Sequence, residues 1–143
     1  MESVLKYRKR QEEMAHLEFV EAQHRVTECL KGIDRMYKQI DTTRDDISKA
    51  VMSGTPEDLH YVRTSELFID GQKFRIQQER LKARDLIKEL ELKEEELLQR
   101  LHDRKIMEKL KDRRLQEYME RMASLEQKEL DDLTNSRIAG GRS

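Results

Sequence analysis

The chain has no tryptophan, one proline, one cysteine, five glycines and only 5% aromatic residues among 143. Each shortage excludes something. With 36% hydrophobic against 41% charged residues and few bulky rings, there is too little apolar volume to fill a thick core, which argues against a globular enzyme. One cysteine permits no intrachain disulfide, and Cys29 falls where a small buried hydrophobe is expected rather than a reactive thiol. No apolar run approaches the length of a signal sequence or a membrane span, so a cytoplasmic location is expected. A net charge of -1, from 29 basic and 30 acidic residues, leaves no overall field to draw the chain to nucleic acid or an anionic membrane.

Chemical motifs are missing as well. There is no glycine-rich phosphate loop and no nucleophile-base-acid set, and His16, His24, His60 and His102 lie at no metal-ligand spacing. The expectation is a protein with no catalytic residues, cofactor or metal. The basic stretches Lys6 to Arg10 and Arg104 to Arg114 are candidates for phosphate contact, but acids such as Glu108 and Asp112 interrupt the second. That pattern reads as a salt-laced helix face rather than a nucleic-acid track.

What the chain does have is a heptad ladder: Leu5, Phe19, Val26, Ile33, Ile40 and Ile47, broken at Glu12, with Arg8, Ala15, Ala22, Cys29, Met36, Thr43 and Ala50 completing the 3-4 spacing. This is a coiled-coil seam. One narrow apolar stripe cannot bury itself, so the helix needs a partner. Ser53-Gly54-Thr55-Pro56-Glu57-Asp58 supplies the way to one: Gly54 suits a left-handed helix stop, Thr55 an N-cap, Pro56 the first helical position, and the two acids favour a helix N-terminus.

The expected fold is therefore all-α, a single coiled-coil rod over residues 1–143. It consists of helix 1 over about 4–51, a turn at 52–55, a longer helix 2 over about 56–136, and a flexible tail at 137–143 introduced by Gly140-Gly141. An antiparallel register matches Ile47 with Val62, Ile40 with Ile69, Ile33 with Ile76, Val26 with Ala83, Phe19 with Leu90 and Glu12 with Leu97. The other half of the seam would pair Ala50 with Leu59, Thr43 with Glu66, Met36 with Lys73, Cys29 with Arg80, Ala22 with Ile87 and Arg8 with Leu101, long polar stems covering that side. In this register helix 1 runs out opposite about residue 104. A stutter places Ile106, Met107 and Leu110 off phase. Leu115, Tyr118, Met122 and Leu125 then form an apolar face with nothing to cover it. Such a face is either partly shielded by neighbouring Arg and Glu stems or a docking surface.

Three stretches carry a family resemblance: Val4-Leu5-Lys6-Tyr7-Arg8-Lys9-Arg10-Gln11-Glu12-Glu13 followed by Glu21-Ala22-Gln23, the mid-helix Phe68-Ile69 with Ile76 downstream, and Lys105 to Arg114 continuing through Glu126 to Asp132. In this order they resemble the FliJ family of flagellar type III export proteins. The resemblance implies a cytoplasmic, non-enzymatic coiled-coil stalk similar to the central stalk of rotary ATPases. It implies that the end bearing both termini inserts into the ring of an export ATPase (FliI-like), that the stalk contacts an export gate protein (FlhA-like) and handles export chaperones, and that it meets the inner membrane only through that apparatus. Residues implied at the ATPase end are Leu5, Arg113, Arg114, Leu115, Tyr118, Arg121, Met122 and Leu125. Phe68 and Ile69 match the pair associated with gate binding, and Gln72 stands where some relatives have Leu. An injectisome secretion stalk, or a generic scaffold dimerising through its C-terminal seam, remains as the alternative.

Overall fold

A computed structural model describes residues 2–141. It contains two helices, α1 (Glu2–Ser53) and α2 (Pro56–Gly141), and no strand among the described residues. The turn is built as its residues dictate. Gly54 adopts a left-handed conformation, φ 65°, and its amide donates to the Ala50 carbonyl at 3.2 Å, closing α1. Thr55 caps α2: the Asp58 amide donates to its Oγ1 at 3.2 Å, while that hydroxyl donates to the Asp58 carboxylate at 2.5 Å. Ser53 donates to the same carboxylate. Those two hydroxyls, Ser53 first, hold the Asp58 carboxyl below its ordinary pKa, so it stays ionised at the positive end of the α2 dipole.

Contacts group the chain into two units, Glu13–Leu98 and Met1–Glu12 with Gln99–Ser143. The first is the antiparallel hairpin proper. Its core is a cluster of Ile33, Ile40, Ile69, Ile76 and Ala83, against which Cys29, Met36 and Ile47 pack. Ala15, Ala22 and Val26 are buried along the same stripe of α1. These residues recur every seven along each helix, as in any seam of period 3.5.

The other half of the α2 seam departs from the expected pairing. Ser65 and Gln72 are buried and Glu79 and Leu86 half-buried, whereas Leu59, Glu66, Lys73, Arg80 and Ile87 are exposed. The reason is geometric. At 3.6 residues per turn, positions three and four after Ile69 flank the stripe on opposite sides, and only the side turned to the partner is covered. Apolar Leu59 and Ile87 suggest one side; α1 lies on the other. Cys29 accordingly meets Glu79, its Sγ 3.6 Å from both the carbonyl and a carboxylate oxygen, rather than Arg80.

Gln72 therefore sits in the core, 4% exposed. Its amide nitrogen donates to the Gln39 side-chain oxygen across the hairpin at 2.5 Å, and its oxygen accepts from Arg75 at 3.4 Å. Any slip of register would strand a buried amide, so this pair favours one alignment at little cost while it is satisfied. At the surface Lys93 bonds Glu18 and Arg25 bonds Glu89, both at 3.1 Å. Hydrogen bonding to Glu18 raises the Lys93 pKa. Exposed pairs of this sort add little stability but are consistent with the same alignment.

In the second unit α1 covers α2 further than the counting of layers suggests. Leu5 is buried, Arg8 bonds Asp103 at 3.4 Å, Glu12 bonds Arg104 rather than facing Leu97, and Glu2 reaches Lys111 at 3.8 Å. Long side chains such as Glu2 and Lys111 carry the pairing about one turn past the start of α1. Met107 is half-buried within this seam, so it is in phase, while Ile106 and Leu110 point out. The helix also continues through residues 137–141, where a flexible tail is expected. A glycine costs a helix about 1 kcal/mol but forbids nothing, so the helix can run on through Gly140. Residues 142–143 of that expected tail lie outside the described residues.

Candidate functional site

From Asp112 to Gly140 every residue of α2 is exposed. The change at Lys111 has a plain cause: the α2 face that α1 covers goes on, but α1 does not. Leu115, Tyr118, Met122 and Leu125 continue that face at 3-4 spacing, with Leu115 55% and Met122 42% exposed. Met119, Leu130 and Leu133 are exposed beside them and widen the stripe. Heptad counting passes over these three because it keeps to one line of positions, while a helix without a neighbour presents a whole side.

Arg113 and Arg114 are exposed, and Arg113 lines a shallow cleft with Ile106, Lys109 and Leu110. Arg121 donates to the Glu117 carbonyl at 3.5 Å. Leu5 differs from the others: it is 8% exposed, so it supports the packing and offers no contact. Just before the stripe, Arg104 bridges Glu12 and, at 2.8 Å, Glu108; these hydrogen bonds, that to Glu12 first, raise its pKa and keep the guanidinium charged.

In the hairpin unit the three residues matched to the gate contact separate by exposure. Phe68 is 44% exposed and borders a hollow lined by Arg35, Lys38 and Thr42, whereas Ile69 and Gln72 are buried beneath it. Only Phe68 can touch a partner without opening the hairpin. Leu67 and Phe74 are also exposed on α2, a signal that a seam-based reading of the sequence discards.

Among the described residues no group of three His, Cys, Asp or Glu side chains is arranged to hold a metal ion, and no helix is long and apolar enough to cross a membrane. Burial and then the Glu79 hydrogen bond raise the Cys29 pKa, which keeps the thiol protonated.

An all-α hairpin whose second helix outlasts the first, and whose organised exposed features are helix faces, defines a coiled-coil interaction protein. The family model of the flagellar FliJ protein matches residues 1–143. The chain belongs to the FliJ family, which gives it a non-enzymatic role connected with flagellar export. No curated protein and no solved structure matches the chain.

Proposed function

We propose that this protein is a cytoplasmic stalk of the flagellar export apparatus, which places its termini-bearing end in the ring of a FliI-like ATPase and links that ring to a FlhA-like gate and to export chaperones. The observation that carries the reading is the uncovered stripe of α2 after Lys111, an amphipathic single helix flanked by Arg113, Arg114 and Arg121. A helix that enters the opening of a ring must be slender and must offer apolar side chains around which ring subunits can close. The stripe meets both demands, and the ion-paired seam at Glu2, Arg8, Glu12 and Arg104 holds its base.

The test is the double substitution Leu115→Glu with Met122→Glu. Both side chains are exposed, so helicity by circular dichroism stays at the parent level while stimulation of the export ATPase falls at least tenfold. Unchanged stimulation would remove the stripe from the ring contact. For the gate, Phe68→Ala should weaken binding of the gate's cytoplasmic domain with no shift in melting temperature, because Ile69 and Gln72 keep the core closed beneath it. Equal affinity for parent and variant would put the gate contact elsewhere.

A further inference from the structure

On the hairpin unit α1 and α2 border a groove of about 470 Å³. Its walls are apolar: Leu30 and Ile33 from α1, Ala83 and Ile87 from α2. Leu30 is 48% and Ile87 39% exposed, a large aliphatic surface left to water. One rim is basic. Arg80, Arg84 and Lys88 follow at intervals of four on successive turns of α2, so their charges line one edge of the groove, and Glu91 adds a single acid at the end of the same lining. Arg80 is tied to Tyr37, donating to its hydroxyl and lying 5.6 Å from the ring centre. Arg84 and Lys88 have no hydrogen-bond or ion-pair partner among the described residues. A groove with an aliphatic floor and unneutralised cations along one edge fits an amphipathic helix that is apolar on one face and acidic on its flank.

The chain itself carries such a helix. Between residues 117 and 132 there are six acids against Arg121 and Lys128, and the apolar stripe runs through the same segment. Glu126, Glu129 and Asp132 recur every three residues along the stripe, and Glu126 and Glu129 have no ion-pair partner among the described residues. We propose that the basic-rimmed groove of one copy receives the acidic, apolar C-terminal stretch of α2 from a second copy. Aliphatic side chains of the stripe fill the groove while Glu126 and Glu129 face Arg84 and Lys88. The contact is small and its charges lie at the rim, so it is weak, and it loosens as salt rises. It covers the stripe assigned above to the ATPase ring, so ring and second copy compete for it; the self-association itself does not depend on that assignment.

Sedimentation of the full chain tests this directly. The parent should rise above its monomer mass of 17.2 kDa over roughly 10 to 500 µM, the range of a weak contact, at low salt, and return toward it at high salt. The groove variant Arg84→Glu with Lys88→Glu, and the separate tail variant Glu126→Lys with Glu129→Lys, should each remain monomeric alone, since each then sets like charge against like. An equal mixture of the two should associate again, because every groove meets a tail of opposite sign. All four positions are exposed and, among the described residues, without an ion-pair partner, so helicity should match the parent in both variants. A parent that stays monomeric throughout, variants that associate as the parent does, or a mixture that fails to restore association would each overturn the proposal.

Discussion

A chain ending at Asp112 is expected to fold as the full chain does and to lose its stimulation of the export ATPase altogether. Among the described residues the deletion removes none that is buried: Asp112 to Gly140 are all exposed, and the last cross-helix contact, Glu2 to Lys111, is retained. The core of Ile33, Ile40, Ile69, Ile76 and Ala83 lies far from the cut in sequence. Helical signal should therefore fall only in proportion to the residues removed, and the melting temperature should stay within a few degrees of the parent. What vanishes is the stripe, and with it about 45 Å of single helix at 1.5 Å per residue. The measurements are a circular-dichroism melt and a steady-state ATPase assay with the truncated chain added in excess. Full stimulation would show that the ATPase contact lies within residues 1–112.

Ile76→Asp is expected to have the largest effect on stability. Ile76 is 2% exposed at the centre of the hairpin cluster, beside Ile33, Ile40 and Ile69. Removing the aliphatic side chain alone costs about 2–5 kcal/mol at a well-packed site. The carboxylate would sit within the aliphatic cluster, so it must either stay charged at a cost of several kcal/mol or bind a proton. Native domains have about 5–15 kcal/mol in total, and a two-helix seam belongs at the low end of that range. The variant should lose its cooperative transition near neutral pH, while Ile76→Val, a loss of about 0.5–1.5 kcal/mol, should keep it. A melting temperature for Ile76→Asp within a few degrees of the parent would mean that the cluster does not hold the hairpin.

How far the fold can be read from residues alone depends on which residues carry the signal. Gly54, Thr55 and Pro56 each have a backbone preference that suits one position of a helix-turn-helix junction, so the turn is written locally. Ile33, Ile40, Ile69 and Ile76 repeat every seven residues, which announces the stripe. The second line of the α2 seam is less legible. Ser65, Gln72 and Glu79 are polar, while Ile87 and Leu59 look like core, and nothing local says on which side α1 will lie. The misleading residue proves informative, since Ile87 left outside the seam is part of the wall of the basic-rimmed groove. The same limit applies to the candidate contacts. The resemblance places Phe68, Ile69 and Gln72 together, but exposure separates them, because neighbours on a helix point about 100° apart and only one face can be outermost.

Because the two helices are joined by so short a turn, the distance along the chain between partners grows steadily from Gly54 outward. Gln39 and Gln72 are 33 residues apart, Arg25 and Glu89 are 64, and Arg8 and Asp103 are 95. Each layer is cheap to close only once the layer nearer the turn has closed, since the remaining loop is then a few residues long. Folding should proceed as a zipper from the turn, with low entropic cost at each step, and opening should run in reverse. Backbone amides around Leu5 and Arg104 should exchange with solvent sooner than those around Ile40 and Ile69. The end proposed to meet the ATPase is thus the last to close and the first to open, so a partner that grips it stabilises the part of the hairpin with the least protection of its own.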